Sequence, residues 1–80
     1  MVSLLFLGRL EDAAGAPSRD LPLDGPAALA DLLAQLPPLL AQALAAPRIR
    51  LALNGTLVPG EGLVVSPGDE LAFLPPVSGG

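Results

Sequence analysis

The sequence predicts a small α+β domain, on three observations. Two strand-like segments, Val2 to Leu7 and Glu70 to Leu74, carry apolar residues on both faces and sit near opposite ends of the chain. Between them runs a stretch with leucines at helical spacing, Leu29, Leu32, Leu33 and Leu36. Asn54-Gly55 follows an alternating segment, a strong short-range hairpin signal.

In chain order, VSLLFL places Val2, Leu4 and Phe6 on one side and Leu5 and Leu7 on the other, which suits a central strand. Gly8 to Gly15 reads as a short helix stopped by Gly15. Ser18 to Leu23 pairs as a second strand, confined by Pro22 to an edge or a strand end. The main helix is expected from Pro26, with Asp24 as its cap and Pro37 as its stop. Leu39 to Ala46 is expected to add a further short helical turn before Pro47. Ile49, Leu51 and Leu53 form a one-sided strand, and Thr56 to Val58 returns from the Asn-Gly turn. Pro59 to Gly68 reads as turns, with Asp69 completing the turn begun by Pro67-Gly68. Pairing the two doubly apolar strands at the centre, with the helix stripe across one face, gives a β-grasp arrangement: a mixed sheet of about five strands on one main helix. Residues 1–74 make this domain and 75–80 an extended tail ending in Gly-Gly.

Composition narrows the function. The chain has 80 residues, 51% of them hydrophobic, with eight acids against four arginines for a net charge of −4. No basic footprint for nucleic acid exists, and the acidic balance disfavours an anionic membrane surface. A cytoplasmic protein is expected. Cys, His, Lys, Tyr and Trp are all missing from the sequence, which removes most general bases, nucleophiles and transition-metal ligands. No metal site and no self-sufficient catalysis are expected. Ser78 has no base to activate it. Asp69 and Glu70 point to opposite faces of an extended segment and make a poor ligand pair.

The final residues carry the chemistry that is left. Pro75 and Pro76 give a stiff, extended exit from a core strand, Val77 adds one apolar handle, and Ser78-Gly79-Gly80 is narrow. Such a tail can enter a channel too tight for side chains and deliver its terminal carboxylate to a reactive centre. One helix cannot cover both faces of the last strand, so part of the apolar surplus is expected to meet a partner. Phe73, Leu74 and Phe6 are assigned to that interface.

These residues resemble the sulfur-carrying small subunit family of molybdopterin synthase, within the ubiquitin-like sulfur carriers. The motif is GDELAFLPPVSGG, Gly68 to Gly80, supported by LLFLGRLEDAAG near the start and LALNGTLV in the middle. The chain departs from the family pattern at Glu11-Asp12, where an Arg-Glu pair is frequent, and at Leu74, where a second aromatic is frequent. The resemblance implies that a ubiquitin-activating-type adenylyltransferase uses ATP to adenylate the carboxylate of Gly80, which is then converted to a thiocarboxylate. It implies that Gly79 keeps the tail thin, while Pro75, Pro76, Val77 and Ser78 form a spacer held in the large catalytic subunit. There the sulfur builds the dithiolene of molybdopterin. Two small and two large subunits, with no permanently bound cofactor, complete the expectation. Three alternatives share the fold: a carrier for another pathway such as thiamine synthesis, a ubiquitin-like modifier of lysines, and an inert interaction module. The approach Phe73 to Pro76 favours molybdopterin over thiamine.

Overall fold

The computed structural model describes residues 1–76. Its elements are β1 (Val2–Phe6), α1 (Leu10–Ala14), β2 (Ser18–Leu21), β3 (Ala27–Ala28), α2 (Leu29–Leu33), α3 (Pro38–Leu44), β4 (Arg50–Leu53), β5 (Thr56–Val58), β6 (Val64–Val65) and β7 (Glu70–Leu74). Five strands form one mixed sheet in the order β2-β1-β7-β4-β5. The two doubly apolar strands pair in parallel at its centre, with Leu4 beside Leu71 and Phe6 beside Phe73. The other three pairings are antiparallel. The expected ubiquitin-like β-grasp sheet is the one found.

Side-chain alternation puts Val2, Leu4, Phe6, Leu71, Phe73 and Leu51 on the covered face, where all are buried. The rings of Phe6 and Phe73 stack with centroids 6.0 Å apart and planes 20° from parallel. Leu32, Leu36, Leu40 and Leu44 from the helical layer join this core, with Leu10, Leu21 and Val65.

That layer differs from the single capped helix expected. Ala27 and Ala28 are extended and pair with Val65 and Val64 in a second, two-stranded sheet. The helix therefore begins only at Leu29, after Ala28 at φ −71°, ψ 155°, and Asp24 does not cap it. Pairing with β6 outweighed the local helix signal of Pro26. The amide of Leu29 donates to the Leu63 carbonyl at 3.3 Å, which ties the two segments together. The helix α2 ends at Leu33, short of the stop expected at Pro37, and Pro38 suits the first turn of a new helix, α3. The leucine stripe thus lies on α2, with Leu36 in the turn that follows it, and α3 adds Leu40 and Leu44. Gly15 stops α1 in the left-handed conformation, its N–H donating to the Glu11 carbonyl at 2.9 Å.

Candidate functional site

The site is built around the end of β7, the strand that leads into the tail. Its last bond to β1 runs from the Leu7 N–H to the Phe73 carbonyl at 3.1 Å. After Leu74 the chain leaves the sheet through Pro75 and Pro76, which have no N–H to offer a ladder. Both prolines are half-buried. Gly8, at φ +55°, lies beneath this exit; a β-carbon there would stand 2.9 Å from Cγ of Pro75. Glycine at this position lets the end of β1 pass against the first tail residue and fixes the direction in which the tail departs.

The start of β7 is anchored as firmly. Asp69 accepts from the Ser66 N–H at 2.8 Å and from the Asn54 side-chain amide at 3.1 Å. The Asn54 amide oxygen accepts from the Glu70 N–H at 2.9 Å, while its backbone N–H donates to the Glu70 carbonyl at 2.8 Å. The Ser66 N–H first, and the Asn54 amide second, hold the Asp69 carboxyl below its usual value of 3.8. Asp69 thus acts in the turn, as the sequence suggested, and pins the hairpin turn to the strand that carries the tail.

The interface assignment needs correcting for two residues. Phe73 is 0% exposed and Phe6 2% exposed, because both lie on the face that the helices cover. Neither can meet a partner without unfolding the core. Leu74 is half-buried and lies on the opposite face. That open face carries no helix. Across its middle run Ser18, Leu5, Ala72, Ala52 and Leu57, placed side by side by the strand registers. Leu57 is 58% exposed and Leu7 43%. The apolar surface available to a partner is this row with Leu7 and Leu74, and it is continuous with the tail exit. Leu5 and Ala72 were legible as the second faces of their strands; Ala52 and Leu57 became neighbours only through the hairpin register.

Val77, Ser78, Gly79 and Gly80, assigned as tail-insertion and reactive residues, lie outside the described residues. Among the described residues no cluster of His, Cys, Asp or Glu is placed to hold a metal, and no helix is long and apolar enough to cross a membrane.

The sequence model of the ThiS family matches residues 4–80. The chain belongs to the ThiS family. This ThiS-family chain is 38% identical over 82 aligned residues to the molybdopterin synthase sulfur carrier subunit of Haemophilus influenzae, with 100% of both chains covered. Among solved structures it resembles SAMP1 from Haloferax volcanii, at a TM-score of 0.79 and 28% identity, covering 99% of this chain and 98% of that one. Small archaeal modifier protein 1 from Methanosarcina acetivorans superposes at a TM-score of 0.71 with 30% identity, covering 99% and 95%.

Proposed function

We propose that this ThiS-family chain is a sulfur carrier for the formation of molybdopterin, with the carboxylate of Gly80 as its working group. The end-to-end similarity to a molybdopterin synthase sulfur carrier subunit carries this reading. The geometry suits it: a central strand leads into a proline exit, next to an apolar open face.

The chemistry follows from the terminus. A carboxylate resists substitution because its leaving group would be oxide. Transfer of AMP from ATP, with release of pyrophosphate, gives a mixed anhydride whose leaving group is AMP. A sulfide (HS⁻) then attacks the Gly80 carbonyl, AMP departs with the bonding electron pair, and loss of the sulfur-bound proton leaves a thiocarboxylate. ATP belongs to the activating enzyme, a ubiquitin-activating-type adenylyltransferase. In the large subunit the thiocarboxylate gives up its sulfur to the pterin precursor, and water restores the Gly80 carboxylate. Two small subunits on two large ones is the assembly we propose. The spacer Pro75 to Ser78 sets the depth of insertion, and Gly79 admits the chain to a narrow channel.

A second reading, a modifier joined to lysines of other proteins, is favoured by the likeness to small archaeal modifier protein 1. Both readings use the same adenylate and differ in the acceptor. This chain has no lysine of its own to receive the tail. Intact-mass measurement after incubation with ATP, the activating enzyme and a sulfide donor tests the carrier reading. Replacement of one oxygen by sulfur at Gly80 is expected, and deletion of Gly79-Gly80 should abolish it. An unchanged terminus, with the enzyme competent on another carrier, rejects the reading. Lysine conjugates without a thiocarboxylate would establish the modifier.

A further inference from the structure

Strand β7 lies between β1 and β4, so the segments bordering those two strands flank the tail exit on both sides. On the β1 side this is Gly8-Arg9, with Gly8 against Pro75. On the β4 side it is Arg48-Ile49-Arg50, with Arg50 opposite Leu74 in the ladder. Pro76 shares one shallow groove with Arg9, Arg48 and Ile49. It shares a wider one with Arg48, Arg50 and the apolar residues Leu44, Leu57 and Val58. Three of the four cations in a chain of net charge −4 thus surround residues 74–76. All three arginines are exposed.

The opposite end of the sheet carries acids. Asp20 and Glu70 stand on either side of Ser3 in the registers of β2 and β7, and Ser3 donates to Asp20 at 3.0 Å. Four residue steps of strand β7 take the chain from Glu70 to Leu74, roughly 13 Å at the rise of an extended chain. That exceeds the Debye length of about 8 Å at physiological ionic strength, so each end presents its own sign to a partner. An apolar middle with a basic end and an acidic end can be docked well in one direction only.

We infer that Arg9, Arg48 and Arg50 form a cationic collar that docks on an acidic rim of the activating adenylyltransferase, around the opening that receives the tail. The opposite charge at the far end of the sheet enforces the direction of approach. The inference rests on the carrier reading above and adds the charge of the partner's rim. Attraction between collar and rim acts before the tail enters, so it governs encounter rather than the chemical step.

The test is ATP–pyrophosphate exchange by a ubiquitin-activating-type adenylyltransferase, with the carrier as the varied substrate, at low and high salt. Arg48→Glu is compared with Arg19→Glu, which makes the same change in net charge on edge strand β2, and with Arg48→Lys, which keeps the charge. For Arg48→Glu the expected result is a KM raised roughly tenfold at low salt, with kcat unchanged and the difference shrinking at high salt. Arg48→Lys and Arg19→Glu should stay close to wild type. An equal effect of Arg19→Glu would reduce the collar to net charge and overturn the inference. So would an unchanged KM for Arg48→Glu, or a loss confined to kcat. A lower KM for Arg48→Glu would mean that the collar holds the chain's own terminal carboxylate, and would also overturn it. Failure of the wild-type chain to support any exchange is a different result: it rejects the carrier reading and with it the partner inferred here.

Discussion

Asp69 stands at the start of the strand that leads into Pro75 and Pro76, and its ionisation is coupled to that strand. Its folded-state pKa lies below the usual 3.8 because the charged form accepts from Ser66 and Asn54. The stabilisation is therefore complete above that usual value and is lost as the pH falls through the lower folded value. Thermal midpoints measured from neutral pH down to about pH 2 should show a loss in the wild type that Asp69→Asn lacks; parallel curves would show that Asp69 adds nothing. At the other end of the strand, Phe73→Ala removes a fully buried ring stacked on Phe6. We expect it to cost about 3–5 kcal/mol in denaturant unfolding. A cost near zero would restore Phe73 to the interface from which its burial removes it. At this scale the sequence was legible where a residue's chemistry is local, as with Asp69 in its turn and Gly15 at its helix stop. Gly8 was not legible in its role, because its partner Pro75 is distant in sequence and meets it only through the parallel pairing of two strands.

Among the elements, the five strands of the main sheet were readable because alternation reports the faces directly. The pairing of two doubly apolar strands followed from their need for cover on both sides. The helical layer was less readable. Ala27 and Ala28 have no strand signature of their own, and only Val64 and Val65 across the fold draw them into a ladder. The same dependence on register hid Leu57, whose place beside Ala52 extends the open face to the sheet edge. That face supplies a test that separates docking from folding. Leu57→Asp alters a residue exposed in the free chain and should leave the unfolding midpoint close to wild type. Affinity for the large subunit should fall by roughly tenfold or more, read by calorimetric titration. Unchanged affinity would place the interface elsewhere.

For the whole molecule, division of labour explains the composition. Under the carrier reading proposed above, the chain contributes a scaffold, an oriented surface and a terminus, and the proteins that receive it contribute the reactive groups. The fold could be argued from 80 residues because its core is simple and its patterning consistent. The reactive end was visible as composition, two prolines followed by small residues, and its chemistry came from resemblance to a family. What the sequence could not order was the surface: that three arginines from separate segments gather around Pro76 depends on which strands neighbour β7.

The parallel alliance of β1 and β7 also bears on how the molecule is made. Strand β1 finds its central neighbour only after nearly all of the described chain has followed it, and such long-range closure is slow to form. Until Glu70 to Leu74 emerge, β1 and β4 both lack the strand that joins them. A nascent chain cut short before that point has a sheet with no middle, and with it neither a finished core nor an aimed exit. Completion of the core and definition of the Pro75-Pro76 exit are thus one event, set by the arrival of β7 between its two neighbours.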